Sequence, residues 1–302
     1  MKTAMKYIYF ANRFSLRDET DAVITAIKRA SEEFHRDYII EVSGSAEEAV
    51  RAMQKYRDAG AVLTAVGGDG SIHHLLNEIA GSVAGTNNIL SFVPCGTGND
   101  FSRTCMETLE KGIHEIDLIR VNDRYCINTV CFGIDADIAN DESFIHNRFI
   151  PRSMRFNAGV LYHFLTYGKK RYLTVECGKK KISRHFTTIV AANGRYYGSG
   201  YKVSPGSLLN DGRMEVYLIG SVGKVKMARL ILSMKNSGHL QDPALRMVRA
   251  KKVTVSSPAP IRANVDGEPL QAEHVELELI PRAVRLEYDQ SFIERVRELS
   301  HT

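Results

Sequence analysis

Hydrophobic positions in the first third of the chain fall into short unbroken runs separated by segments of helical period. Tyr7 to Ala11, Tyr38 to Val42, Ala61 to Val66 and Asn88 to Val93 read as buried strands, while Asp18 to Phe34, Ala46 to Arg57 and Ile72 to Ile79 read as helices. This alternation predicts a parallel sheet with helices on both faces. From Tyr125 onward the period changes to two, with Gly, Pro and Asn as punctuation. Thr187 to Ala192, Arg213 to Ile219, Lys252 to Ser256, Ile261 to Val265 and Val275 to Leu279 then read as strands of an antiparallel β domain. Two helical patterns, Asn157 to Tyr167 and Val225 to Ser233, interrupt it. The expected class is α/β plus β: an α/β domain over residues 1–120, a β domain over 121–283, and a terminal helix (Phe292 to Leu299) by which 284–302 returns to the first domain.

Composition narrows the class. The chain has 302 residues, 44% of them hydrophobic, which is enough for two cores and unlike a disordered chain. Its formal charge of +5 is spread among acids, so no nucleic-acid footprint is visible and no nucleic-acid partner is expected. A lightly basic face could equally serve an anionic membrane. Cys95, Cys105, Cys126, Cys131 and Cys177 show no paired C-x-x-C spacing, which argues against a zinc site or redox dithiol and points to a reducing, cytoplasmic compartment. Met1 to Lys6 leads straight into the first strand and no apolar stretch of about twenty residues occurs, so neither secretion nor a membrane span is expected.

Two glycine-rich turns stand out against this background. Val66-Gly67-Gly68-Asp69-Gly70-Ser71 joins a strand to a helix, and Pro94-Cys95-Gly96-Thr97-Gly98-Asn99-Asp100 follows the next strand. Glycine lets backbone N–H groups face an anion without interference from a Cβ, and a helix N-terminus adds partial positive charge. A parallel sheet delivers both turns to one edge, so both are expected to line one phosphate-handling crevice. Plain tight turns would have the same backbone geometry.

The ordered set Gly67-Gly68-Asp69-Gly70-Ser71, Gly96-Thr97-Gly98-Asn99-Asp100-Phe101, Asn193-Gly194 with Tyr197-Gly198-Ser199-Gly200, Pro205-Gly206, Asp211-Gly212 and Asp266-Gly267-Glu268 resembles the diacylglycerol kinase catalytic-domain family of bacterial lipid kinases. The resemblance covers nearly the whole chain. NAD kinases and phosphofructokinases share turns like the first, but the second turn followed far downstream by Asp-Gly-Glu is more specific. The resemblance implies a kinase using ATP and Mg²⁺, with a Rossmann-like three-layer nucleotide-binding domain and a C-terminal β-sandwich domain for the lipid. It implies nucleotide contacts from Gly67, Gly68, Asp69, Gly70, Ser71, Gly96, Thr97, Gly98 and Asn99, with Ser43 at the place of a threonine that touches ATP in relatives. Asp69, Asp100 and Asp117 would form the magnesium network, and Asp211 a second, structural magnesium site. Asp266 would be the base that takes the proton of a lipid hydroxyl, with Glu268 orienting Asp266 or that hydroxyl. Diacylglycerol is the first expected acceptor, giving phosphatidic acid, met transiently at the inner face of the membrane. A homodimer is compatible with the resemblance.

Plainer readings of the same residues stay open. Asp69 and Asp100 could cap the helices that follow them. Asp117 could be an exposed strand-end acid, Asp211-Gly212 a type I′ turn without metal, and Asp266-Gly267 an ordinary hairpin turn. Ser71 stands where the family more often has Thr. Ile72-His73-His74 stands where relatives commonly show Asn-Glu or His-Glu, so an imidazole replaces a carboxylate at His74. Neighbouring helix residues point about 100° apart, which makes the two histidines a poor zinc pair. An NAD kinase-like enzyme and a nucleotide- or lipid-binding regulator with weakened catalysis are therefore the alternative functions. Gly159 to Tyr167 followed by Gly168-Lys169-Lys170-Arg171 would suit acyl-chain contact near an anionic bilayer, or else core packing with a solvated charge run, and Val225 to Lys235 carries the same ambiguity.

Overall fold

A computed structural model of the chain describes residues 5–80, 87–96, 98–140 and 171–301. The expected helix at Asn157 to Tyr167 and the basic segment 168–170 lie outside the described residues. The chain forms two compact units, Met1–Ile116 with Arg282–Thr302, and Asp117–Pro281.

In the first unit, β1 (Lys6–Asn12) leads through α1 (Arg13–Leu16) into α2 (Thr20–Glu33), followed by β2 (Asp37–Ser43), α3 (Ala46–Lys55), β3 (Val62–Gly67), α4 (Asp69–Ala80), β4 (Ile89–Pro94) and α5 (Asp100–Thr108). The strand order is β4-β3-β1-β2 and every pair is parallel. The winding direction therefore reverses between β1 and β3, and such a switch point opens a crevice at the carboxyl ends of the strands. Helices cover the sheet, which is why β3 is buried at all six positions and reads as an unbroken apolar run.

β13 (Glu268–Tyr288) enters this unit at Arg282, pairs in parallel with β4 at Leu286 and Leu90, and leads into α8 (Gln290–Ser300). Phe292 and Val296 of α8 share a core with Tyr9, Val23 and Ile27. Arg36 fixes this return of the chain. Its guanidinium meets Asp289 at 2.9 Å and Glu287 at 3.9 Å, lies 3.7 Å from the centre of the Phe292 ring, and donates to the Tyr9 hydroxyl.

The division at Ile116/Asp117 falls a few residues before the expected 120, within β5 (Gly112–Val121), because Ile119 and Val121 are buried in the second unit's core. At the other end it falls at Pro281/Arg282 rather than after 283.

The second unit continues with β6 (Arg124–Cys126), β7 (Thr129–Gly133), α6 (Ile134–Ala139), β8 (Arg171–Cys177), β9 (Lys180–Ala192), β10 (Met214–Gly220), α7 (Lys224–Ser233), β11 (Leu245–Ala250) and β12 (Lys252–Val265). β6 pairs antiparallel with β5, β9 with β7, β8 and β10, β10 with β11, and β12 with β7, β8 and β13. β9 pairs with β8 along its first half and with β7 and β10 along its second. β12 likewise serves β8 and then β7, with a register shift between Ser256 and Ile261. Pro258 and Pro260 lie in that gap and have no N–H to give to a ladder, so the two expected strands are one bent strand. The bends let long strands serve two layers around a core of Phe132, Leu173, Phe186, Val216, Val255 and Leu277. The expected helix near Val225 is α7, and its Met227 and Leu230 cover Tyr217 and Ile219 on the other face of β10.

His239, fully buried in a short 3₁₀ turn, has its Nε2 2.8 Å from the Val203 carbonyl oxygen. Burial holds this imidazole below its usual range, although the hydrogen bonds it makes to backbone carbonyls work the other way. The unfolded chain therefore binds the proton more readily. The His239 contribution to stability is full above the unfolded value of about 6.5 and is lost as pH falls through the lower folded value. Melting temperatures across that range are expected to fall with pH in the parent and less steeply in His239→Asn. Equal slopes would remove the assignment.

Candidate active site

The first unit gathers the two glycine turns at the ends of β3 and β4. The Cys95 N–H donates to the Gly67 carbonyl at 2.8 Å. A Cβ on Gly96 would lie 2.7 Å from the Gly68 Cα, so the second turn touches the first through bare backbone. Gly67 adopts φ of +153° and a Cβ there would meet the Ser71 Oγ at 2.2 Å. Asn99 closes its own loop, accepting from the Gly96 N–H at 3.1 Å and donating to the Gly96 carbonyl at 2.6 Å.

With Asn99 so committed, α5 receives no side-chain cap from its own N-cap residue. Asp69 supplies it from the other turn: Oδ2 accepts from the Asp100 N–H at 2.8 Å and Oδ1 from the Phe101 N–H at 3.1 Å. The capping reading of Asp69 thus changes its object, because the carboxylate caps α5 rather than α4, which Asp69 begins. Asp100 does not cap α5 either. It is the helix's first residue, buried, with its carboxylate 3.9 Å from Arg103.

Gly70 and Ser71 form the first turn of α4, and the Ser71 N–H donates to the Gly68 carbonyl. Gly98 precedes Asn99 and its carbonyl accepts from Arg103. Thr97 lies outside the described residues. Ser43 sits at the end of β2 on the same sheet edge, with its hydroxyl turned to the Ala11 carbonyl. His73 is buried against Asn77, and His74 is exposed.

The second unit holds the other predicted residues. Asp266 and Gly267, at φ of +51° and +101°, make the two-residue connection between β12 and β13, as a hairpin of the I′ kind requires. The turn presents the Asp266 carboxylate to an upstream segment. Oδ1 accepts from the Asn128 N–H at 2.9 Å, the Thr129 N–H at 3.0 Å and the Cys126 thiol at 3.0 Å, and Oδ2 accepts from the Ile127 N–H at 2.8 Å. Burial and the adjacent Asp266 keep the Cys126 thiol protonated. Glu268, half-buried, opens β13 opposite Val265.

Asp117 is buried rather than an exposed strand-end acid, and it bonds to Gly212 and Leu209 of this unit. Its Oδ2 accepts from the Gly212 N–H at 2.7 Å, and its own N–H donates to the Leu209 carbonyl. Asp117 therefore belongs with Asp211, whose carboxyl is raised above its usual range by burial and then by the Asp117 and Glu215 carboxylates. Only Gly212 of this pair has positive φ, so the turn is not type I′; Asp211 instead accepts from the Arg213 N–H. Pro205-Gly206 has a packing role, since a Cβ on Gly206 would lie 3.1 Å from Glu215 Oε1.

Comparison with known proteins bears on this geometry. Residues 6–125 match the diacylglycerol kinase catalytic domain, and residues 128–288 match the YegS C-terminal NAD kinase beta sandwich-like domain. The chain joins a diacylglycerol kinase catalytic domain to the C-terminal domain of the YegS family. A Serratia proteamaculans relative named "Probable lipid kinase YegS-like" is 27% identical over 81% of this chain and 82% of its own length. An Alcanivorax borkumensis relative of the same name is 24% identical over 82% and 85%. A solved diacylglycerol kinase from Bacillus anthracis str. Sterne superposes with a TM-score of 0.66 at 16% identity, over 97% of this chain and 99% of that one. A second solved chain from that organism gives 0.78 at 17%, over 97% and 98%. These last two show a shared fold.

In this member of a lipid kinase family, sequence reasoning missed the residues that hold the motifs. Cys126 to Thr129 carry no motif, yet they supply four donors to Asp266. Asn193, fully buried, ties the Asp117 and Ile127 carbonyls together. Its Asn-Gly pairing was the only local signal. Gly96→Ala is expected to push the two turns apart, costing about 1–3 kcal/mol. Urea unfolding checks this, and unchanged stability would contradict the close approach.

Proposed function

We propose that the protein transfers the γ-phosphoryl group of ATP to a lipid hydroxyl, with diacylglycerol as the first acceptor and phosphatidic acid as product. The carrying observation is the Asp69 carboxylate bridging the two glycine turns. It holds together bare backbone at the carboxyl ends of β3 and β4, where a Cβ on Gly67 would meet the Ser71 side chain and one on Gly96 the Gly68 backbone, and a surface without side chains fits the close approach of phosphates. Asp69 and Asp100 are hard oxygen donors at the same edge. No group of three His, Cys, Asp or Glu side chains able to hold a metal occurs among the described residues. That suits Mg²⁺, which binds through one or two carboxylates and takes its remaining ligands from phosphates and water. When bound, the ion neutralises charge on the transferred group.

Asp266 takes the proton of the lipid hydroxyl, and Glu268 orients the acceptor. The four donors from Cys126 to Thr129 hold the Asp266 carboxylate in one orientation for that step. Asp211 would hold a structural magnesium ion together with neighbouring backbone carbonyls. Among the described residues no helix is long and apolar enough to cross a membrane, so the lipid is met at a surface.

Transfer of labelled γ-phosphate to a panel of lipids in mixed micelles tests the proposal, with NAD as the alternative acceptor. Label on a lipid that depends on Mg²⁺ is the expected result. Label on NAD without lipid would make the protein an NAD kinase. ATP binding with no label on any acceptor would make it a regulator.

A further inference from the structure

We infer that the second unit carries a separate binding pocket for a phosphoryl-bearing anion, on the side of β10 where that strand ends. A pocket of about 410 Å³ is lined by Ile182, Arg184, Gly220, Ser221, Pro243, Ala244 and Arg246. Two arginines thus border one cavity, and no carboxylate among the described residues lines it. Neither arginine makes an ion pair with a described residue; Arg184 rests over the Phe186 ring at 5.1 Å. That ring is buried and fixed in the core, so it holds the Arg184 side chain in place.

The pocket also offers donors without a partner among the described residues. The Gly220 N–H is used by the Ala244 carbonyl and the Val222 N–H by Thr187, which leaves the Ser221 N–H and hydroxyl between them. The Arg184 guanidinium lies against Gly220, where a Cβ would be 3.4 Å from it, so this guanidinium borders the end of β10. The nearest acid in sequence, Asp242, is occupied by Lys226 at 2.9 Å and by the Ala244 N–H at 2.8 Å, so it does not neutralise the arginines. Two forks of N–H donors, a hydroxyl and a backbone N–H around a cavity of this size match the several acceptor oxygens of a phosphoryl group. The pocket lies wholly within the second unit and uses none of the residues assigned to phosphoryl transfer, so the inference stands or falls independently of the acceptor assignment.

The chemistry is shared by free phosphate and by a phospholipid headgroup, and the test separates them. The full-length protein is titrated with inorganic phosphate by calorimetry and floated with phosphatidylcholine vesicles that do or do not contain phosphatidic acid. The Arg184→Ala/Arg246→Ala protein is compared with the parent, and Arg229→Ala/Lys251→Ala serves as a control of equal charge change on exposed residues outside the pocket. All four arginine and lysine side chains are exposed, so folding is expected to survive, and a melting curve verifies it.

The pocket variant is expected to bind phosphate at least about tenfold more weakly while the control does not. Loss of vesicle flotation in parallel supports the pocket and identifies its ligand as a headgroup. Retained flotation with lost phosphate binding supports the pocket and identifies a soluble ligand. Equal losses in both variants, no loss in the pocket variant, or no phosphate binding by the parent would overturn it.

Discussion

Asp266→Asn is expected to lower phosphoryl transfer by about 10²–10⁴-fold, the usual contribution of a positioned base, with ATP affinity held within about an order of magnitude because the glycine turns belong to the other unit. The same substitution disturbs structure. An amide in place of the carboxylate would turn N–H groups toward one of the four donors from Cys126 to Thr129, and losing a charge-assisted hydrogen bond there costs about 1.5–3 kcal/mol. The two effects separate in the measurement. Turnover is read per folded molecule, well below the melting transition, alongside ATP binding and a urea unfolding curve. Turnover above a tenth of the parent would reduce Asp266 to an anchor for residues 126–129. Turnover and ATP affinity falling together would assign the loss to misfolding.

Arg36→Ala is expected to be the most destabilising single change in the first unit, by about 3–5 kcal/mol. The Arg36 and Asp289 side chains are only 7% and 11% exposed, so solvent screens the pair weakly. Removing the guanidinium leaves the Asp289 and Glu287 carboxylates without their buried partner. It also removes the planar group packed on Phe292 and Tyr7. Asp289 retains Lys111 at 3.0 Å and its cap on the Phe292 N–H, which limits the damage at the start of α8. Urea unfolding of the parent, Arg36→Ala and Arg36→Met gives the comparison. A loss below about 1 kcal/mol, the value typical of exposed pairs, would mean that α8 is held by its apolar face alone. The Met variant restores volume without charge, so a similar loss in both variants identifies the unpaired carboxylates as the cause.

The layout of the first unit was legible because a parallel sheet covered on both sides writes itself as short apolar runs, and the Val62–Gly67 strand is the plainest example. The glycine turns were legible for a related reason: their conformation excludes side chains, so composition and geometry coincide at Gly67 and Gly96. The β12 strand was read as two pieces because Pro258 and Pro260 interrupt the pattern locally, whereas the bend they allow depends on which partners lie on each side.

The capping role of Asp69 was half legible. An acid at a strand-to-helix junction predicts a cap, but which helix receives it depends on Asn99 having already spent its side chain on Gly96. Asp117 was grouped with Asp69 and Asp100 by resemblance, while its carboxylate turns to Gly212, a partner that no spacing reveals.

The sequence by itself determined the two-domain class, the strand and helix order, the positions of both glycine turns and the family to which they belong. Periodicity and backbone conformation are local properties, and a run of residues encodes them directly. Tertiary structure alone decided what each carboxylate faces: Asp69 the start of α5, Asp117 and Asp211 one shared turn, and Asp266 the backbone from Ile127 to Thr129. A carboxylate's role depends on donors brought to it from far along the chain, 137 to 140 residues away for Asp266, and that proximity exists only once the strands have paired.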